Sequence, residues 1–302
     1  MQKRINSKLG SEAVLDAAFF LAKKVKAKAI LILAIGRINK ELLEKAAKNI
    51  KLILIFHSKK LCQSYKRAGY EVLYSSPFRL ARFSRIRHAI ITAMSKKMIK
   101  KDEKIVCLSG PVSRNILDSI MVLKVGKPFT ELSVPKGQEM GTDAELEVIK
   151  SVLDIATEIG TFGHGGKPVG TIFVIGDTAN VLKLSRQITF NPFKGYEEKQ
   201  KNIMDPEVQE SIKEFAQIDG AFLIKWDGVV NAAGRLLLMP KEEVQILKGF
   251  GARHNASAYI TKKTKALAVV VSENNGNVAL FKNGKILFTL EPIETYRHKV
   301  ST

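Results

Sequence analysis

The run Ala29-Ile-Leu-Ile-Leu-Ala-Ile35 holds seven consecutive apolar residues with no polar alternation. A strand of that kind is apolar on both faces, so it must sit inside a sheet covered on both sides. Leu52–Phe56 and Lys104–Leu108 repeat the pattern, and Glu71–Tyr74 is a shorter strand candidate. Between them, Lys40–Asn49, Lys59–Ala68 and Leu80–Ile99 place apolar residues at helical spacing, and a further helix is expected through Val112–Leu123. Strands alternating with amphipathic helices predict βα units around a mostly parallel sheet.

A different pattern follows. Gly126 to Gly141, with Pro128, Pro135 and Gly137, reads as a linker. The expected boundaries are therefore an α/β domain over 1–127, a linker over 128–141 and a second domain over 142–302. Thr142–Ile159 is a helix candidate with Thr142 as its cap and Glu145 three residues on. Thr171–Ile175, Gly220–Lys225, Val229–Ala232, Leu267–Val271, Val278–Phe281 and Ile286–Leu290 read as strands. Asp227-Gly228, Asn275-Gly276 and Asn283-Gly284 read as their turns. Ser185–Pro206 is a long polar connection, while Pro206–Phe215, Glu242–Phe250 and Arg253–Thr264 are helical. The fold class is thus α/β, a parallel-sheet domain followed by a mixed-sheet domain rich in hairpins.

Charge divides the chain at nearly the same place. The net charge is +20. Residues 1–130 hold 28 Lys and Arg against 8 Asp and Glu, and residues 131–302 hold 21 of each. Arg79, Arg82, Arg85, Arg87 and His88 crowd one stretch, with Lys96, Lys97, Lys100 and Lys101 beyond it. A surface like this suits an anionic partner: nucleic acid, membrane lipid or a phosphorylated effector. A basic proteome or heat adaptation gives the same count. Aromatic residues for base stacking are sparse nearby, and no DNA-binding module is recognisable, which argues against nucleic acid. No apolar run reaches membrane-span length and the first twenty residues lack a signal-peptide layout, so a cytoplasmic protein is expected. Cys62 and Cys107 each lie in an apolar segment, and no Cys/His cluster suggests zinc.

Two segments carry candidate chemistry. Asp219-Gly220-Ala221 sets a carboxylate at the head of an apolar strand with little side-chain bulk beside it. This suits a metal and a ribose or phosphate, although Asp-Gly is also a common turn. Gly251-Ala252-Arg253-His254 bends the chain into a helix start, where free amides and the dipole favour an anion. Arg253 adds a planar phosphate donor and His254 a ring nitrogen for a metal. Gly160-Thr-Phe-Gly-His-Gly-Gly-Lys167 resembles a phosphate loop but runs from helix to strand and lacks Ser or Thr after Lys167. His164 is therefore read as a loop histidine.

The ordered set is more specific than its pieces. It comprises Gly166-Lys-Pro-Val-Gly-Thr-Ile-Phe-Val-Ile-Gly-Asp177, Asn191-Pro-Phe-Lys-Gly-Tyr196, Asp219-Gly-Ala221, Gly251-Ala-Arg-His254, Lys263–Leu267 and Val271-Ser-Glu273 with Asn275-Gly276. Together they resemble the diadenylate cyclase family, and the first domain is similar to the pyruvate kinase C-terminal domain, most visibly at Asp102–Val125. The resemblance implies condensation of two ATP into cyclic di-AMP with Mn²⁺ or Mg²⁺, in a homo-oligomer whose cyclase domains face each other. It implies that Asp219, Arg253 and His254 are catalytic, with Asp219, His254 and Glu273 at the metal. Gly220, Ala221, Gly251, Ala252, Asn255, Ser257, Ser272 and Glu273 would contact ATP.

The family usually carries Arg-His-Arg, whereas Asn255 takes the third position here, and Ala252 and Ala256 stand where hydroxyl residues often occur. An amide bonds phosphate without neutralising it. Lys262 or Lys263 is a candidate for the missing charge. The alternative to a cyclase is an adenine-nucleotide sensor of the same fold that has lost turnover.

Overall fold

The structure is a computed structural model that describes residues 2–34, 36–38, 41, 43–44, 50–75, 80–111, 116–125, 143–163, 169–240 and 250–292. The expected linker, His164, Arg79, most of the helix at 40–49 and all but Phe250 of the helix at 242–250 lie outside those residues. The chain divides into two compact units, Met1–Ser133 and Val134–Thr302.

In the first unit, helix α1 (Gln2–Lys24), not read from the sequence, precedes strand β1 (Ala29–Ala34). Leu15, Ala18 and Ala22 recur on one face of α1 and are buried in the same cluster as Ile30, Ile32 and Leu54. Strand β2 (Lys51–Phe56), helix α2 (Lys59–Arg67), strand β3 (Glu71–Tyr74), helix α3 (Arg82–Ser95) and strand β4 (Lys104–Ser109) follow. Ser58 starts α2 by accepting a hydrogen bond from the Leu61 amide at 3.3 Å.

The last element, β5 (Ser119–Lys124), corrects the helix expected through Val112–Leu123; residues 112–115 lie outside the described set. Ile120-Met-Val-Leu123 is a short apolar run, whose periodicity does not separate strand from helix. It pairs antiparallel with β4, from Lys104 opposite Lys124 to Ser109 opposite Ser119. The sheet order is β3-β2-β1-β4-β5, with β1 to β4 parallel.

The second unit runs α4 (Asp143–Phe162), β6 (Thr171–Ile175), α5 (Thr178–Lys183), β7 (Ser185–Gln187), α6 (Pro206–Phe215), β8 (Ala221–Ile224), β9 (Val230–Leu237), α7 (Ala252–Lys263), β10 (Leu267–Val271), β11 (Val278–Lys282) and β12 (Lys285–Leu290). One mixed sheet forms in the order β12-β11-β10-β6-β8-β9-β7. Asn283 and Gly284 both have positive φ (51° and 77°), as a tight β11–β12 hairpin requires. The connection over 185–206 is more structured than its polarity suggests. It adds β7 to the sheet edge and buries Phe193 edge-on to Phe215 at 5.9 Å.

Strand direction positions the site. Parallel β6 and β8 set Ile172 opposite Ala221, and antiparallel β10 sets Val271 opposite Thr171. The starts of β6 and β8 therefore share one sheet edge with the end of β10. Asp219-Gly220 precedes β8 and Ser272-Glu273 follows β10, so topology alone brings segments fifty residues apart to the same edge.

Candidate active site

A cavity of about 1030 Å³ opens at that edge. Asp219, Gly220, Ala221, Gly251, Ala252, Arg253, His254, Ser272 and Glu273 all line it. The two segments singled out in the sequence thus meet in one hollow.

Asp219 is exposed, and its Oδ1 accepts a hydrogen bond from the Gly220 amide at 2.9 Å. Gly220 has φ +107°, and a Cβ there would stand 2.6 Å from both the Gly234 carbonyl carbon and the Arg235 nitrogen. The residue is glycine because the β9 backbone crosses against it; nucleotide access need not be the reason. Across the ladder, Ala221 is fully buried and paired with Arg235.

Gly251 is the N-cap of α7 and makes no side-chain cap, while the first turn carries no acidic residue. Among the described residues, nothing lies within 4 Å of where its Cβ would be, and the first amides of a helix have no partner within the helix itself. Arg253, one residue into the helix, donates from Nη1 to Glu273 Oε2 at 2.7 Å. Gly170, just before β6, lies directly beneath this pair. A Cβ there would stand 2.6 Å from Arg253 Nη1 and 2.9 Å from the Glu273 Cβ.

His254 is half-buried between Phe250 and Phe281, with ring centroids 5.1 and 6.0 Å away. Burial lowers its pKa from the ordinary value, keeping the imidazole neutral near pH 7 with a lone pair to offer. Ser272 forms the turn after β10: its amide donates to the Asn277 carbonyl, and its carbonyl accepts from Gly276, both at 2.8 Å.

Asn255 and Ser257, expected as nucleotide contacts, do not line the cavity. Asn255 is 7% exposed, and its Nδ2 donates to the Phe250 and Gly251 carbonyls at 3.0 and 3.3 Å, tying down the bend before α7. Ser257 is fully buried on the inner side of α7. Lys262 and Lys263 occupy the last turn of the same helix, about 14–15 Å of helical rise from Arg253, and do not line the cavity.

What the sequence reading missed is Arg235 and the apolar wall beside it, Leu236 to Met239 with Ile172. Arg235 donates to the Leu182 and Ser185 carbonyls at 3.0 and 2.6 Å and to Ser185 Oγ, which holds its guanidinium in place at the rim. It lies three residues beyond the strand expected at Val229–Ala232 and so carried no signal; β9 runs on to Leu237, and its pairing with β8 brings Arg235 opposite Ala221.

Among the described residues, no three His, Cys, Asp or Glu side chains gather as a metal cage. Asp219, His254 and Glu273 share the cavity without converging. The two carboxylates nevertheless fit an ion such as Mg²⁺ or Mn²⁺ whose remaining ligands are phosphates and water, while a neutral imidazole beside them is a ligand better suited to transition ions. No helix among the described residues is long and apolar enough to cross a membrane.

Residues 158–286 match the family described as DisA bacterial checkpoint controller nucleotide-binding, and residues 11–129 match one described as probable sensor domain DacZ_P. A diadenylate cyclase of Haloferax volcanii is 36% identical over 208 residues, covering 69% of this chain and 75% of the relative. The chain belongs to the diadenylate cyclase family. A second family member, from Methanocaldococcus jannaschii, is 41% identical over 208 residues, covering 68% of this chain and 66% of its own length. About a third of that relative therefore has no counterpart in the match.

Within this diadenylate cyclase family chain, the nucleotide-binding match spans the cavity residues from Ile172 to Ala279. Solved structures add no argument. DacA from Staphylococcus aureus is 20% identical with a TM-score of 0.30, covering 48% of this chain and 87% of that one. A pyruvate kinase from Cryptosporidium parvum is 16% identical with a TM-score of 0.32, covering 38% and 22%. That likeness does not establish the pyruvate kinase resemblance expected of the first unit, whose residues 11–129 match the sensor-domain family.

Proposed function

We propose that this protein condenses two ATP molecules into cyclic di-AMP and two pyrophosphates. The observation that carries the reading is the meeting of Asp219 with Arg253 and His254 on one open cavity. Its volume suits one nucleotide. The apolar wall from Leu236 to Met239 offers a face to a base, and the start of α7 with Arg253 offers donors to phosphates. Two cavities from two chains, face to face, then complete the reaction centre.

In each half, the 3′-oxygen of one nucleotide bonds to the α-phosphorus of the other, and the bond from that phosphorus to the bridging oxygen breaks. Pyrophosphate departs with the electron pair. Asp219, exposed at the head of β8, takes up the 3′-hydroxyl proton. Arg253 and the α7 amides hold the negative charge that develops on the phosphoryl oxygens. Asp219, His254 and Glu273 would hold Mn²⁺ or Mg²⁺, which supplies charge neutralisation at the triphosphate when bound.

Arg253 must first leave Glu273. That pair is more than a third exposed on both sides, which makes it worth at most about 1 kcal/mol, less than a charge-assisted phosphate contact. What favours a sensor without turnover is Asn255, which stands in place of the family's second arginine and bonds backbone carbonyls instead of lining the cavity.

Incubating the purified protein with ATP and Mn²⁺ or Mg²⁺, with products read by mass spectrometry, decides between them. Cyclic di-AMP supports the cyclase; bound ATP without product leaves the sensor. The unit over 1–133 we read as a regulatory domain, its likeness to the pyruvate kinase C-terminal domain resting on Asp102–Val125.

A further inference from the structure

Among the described residues, two arginines line the cavity, Arg253 and Arg235, together with three carboxylates, Asp219, Glu273 and Glu291. Whether phosphates are attracted or repelled there depends on which cations are free to meet them. Arg253 is offset by Glu273 at 2.7 Å, and Asn255 near it donates to backbone carbonyls.

Arg235 differs, because all of its acceptors are uncharged. Its Nε donates to Ser185 Oγ at 3.2 Å. Its Nη2 donates to the Leu182 carbonyl at 3.0 Å, the Ser185 carbonyl at 2.6 Å and Ser185 Oγ at 3.0 Å. The side chain is half-buried, and Nη1 is neither hydrogen-bonded among the described residues nor one of the buried unpartnered atoms, so it stays open to solvent. Burial lowers the pKa of this group, yet a guanidinium remains charged at neutral pH. The four bonds through Nε and Nη2 fix the guanidinium plane before any ligand arrives, so a contact through Nη1 orders little further.

Ladder pairing sets the place. Arg235 stands opposite Ala221 in the antiparallel β8–β9 pair, so the two side chains share a face of the sheet. Ala221 follows Asp219-Gly220 and lines the cavity, and the Arg235 backbone nitrogen is 2.6 Å from where a Gly220 Cβ would be. In the strand order β10-β6-β8-β9, Arg253 lies over Gly170 just before β6, whereas Arg235 comes from β9. β6 and β9 are two strand spacings apart, about 10 Å, with the head of β8 between them. The two arginines therefore approach Asp219 from opposite sides.

We propose that Arg235 is a second phosphate-binding residue of the cavity, donating from Nη1 to a nucleotide phosphate on the side of Asp219 away from Arg253. The inference rests on the reading of this cavity as an ATP site. Unlike Arg253, Arg235 has no ion pair to break before it can bind.

Calorimetry with ATP on the full-length protein, in chelator and over a series of salt concentrations, tests it. Arg235→Gln is expected to weaken ATP binding about ten-fold or more and to flatten the fall of affinity with added salt. Arg235→Lys, whose ammonium can still reach the Leu182 and Ser185 carbonyls, keeps the test open if the glutamine variant does not fold. It is expected to lose affinity several-fold, because donors turned to those carbonyls are lost to phosphate. Ser185→Ala loosens the same contacts but leaves the cation, so its salt dependence is expected to match that of the parent. ATP affinity unchanged in either arginine variant would overturn the proposal. So would a salt dependence in Arg235→Gln as steep as in the parent, or one in Ser185→Ala as flat as a lost charge gives. A parent that passes these tests yet makes no cyclic di-AMP would remove the cyclase reading alone, and a parent that binds no ATP would remove both.

Discussion

Arg253 and Glu273, twenty residues apart in sequence, meet at 2.7 Å above a glycine that leaves them room. One comes from the first turn of α7 and the other from the turn after β10. The pair joins a prospective phosphate donor to a prospective metal ligand, so each is masked until nucleotide and ion arrive.

Removing the mask separates those two roles. Glu273→Gln frees Arg253 and is expected to tighten metal-free ATP binding by up to about five-fold, the range of a partly exposed ion pair. The same variant is expected to need more Mn²⁺ for half-maximal turnover. Calorimetry in chelator followed by a metal titration of activity checks both; equal affinities with and without the carboxylate would show that the pair does not gate binding.

Asp219→Asn is expected to lower the rate of cyclic di-AMP formation by about 100-fold to 10,000-fold, the usual contribution of a positioned proton acceptor. The side chain is exposed and, among the described residues, bonds its own neighbouring amide, so Tm should stay within a degree or two of the parent, in keeping with a surface change. An active Asp219→Asn enzyme would remove this carboxylate from the mechanism.

The two glycines of the site should respond oppositely. At Gly220, alanine meets the β9 backbone at 2.6 Å with φ +107°, for an expected loss of about 1–3 kcal/mol measured by urea unfolding. At Gly251, alanine meets nothing, and its stability cost should stay within about 1 kcal/mol. Gly251 lines the cavity, so any effect of the added methyl should appear in the KM for ATP.

His254 gives the second unit a defined acid sensitivity. Its folded-state pKa lies below its ordinary value of ~6.5 because burial disfavours the imidazolium. The unfolded chain therefore binds the proton first as pH falls. Stability from this residue is complete above pH ~6.5 and declines below it, levelling off once the folded-state pKa is passed. Urea midpoints from pH 5 to pH 8 should show this decline in the parent, and His254→Gln should flatten it.

The cyclase-like half was the more legible in sequence. Pro206–Phe215 and Leu267–Val271 form where their spacing put them, because a proline-started amphipathic helix and a continuous apolar strand each have one reading. Ile120–Leu123 did not, because four apolar residues satisfy a strand and a helix equally until a partner such as β4 decides. Helix α1 and the strand β7 were missed because their sequences carry weak apolar patterns and gain their order from the sheets they cover or extend.

By itself, the sequence determined the α/β character of both halves and the concentration of positive charge in the first, and it singled out Asp219, Arg253 and His254 as candidates. Local spacing, composition and charge are enough for these, since each depends on neighbours along the chain. Only the tertiary structure decided that Asn255 turns back onto its own helix bend while Arg235 stands at the cavity, and that Glu273 meets Arg253. Those depend on strand direction and ladder pairing. A sheet edge gathers residues fifty positions apart, and whether a side chain faces solvent, backbone or cavity is set by what packs across from it.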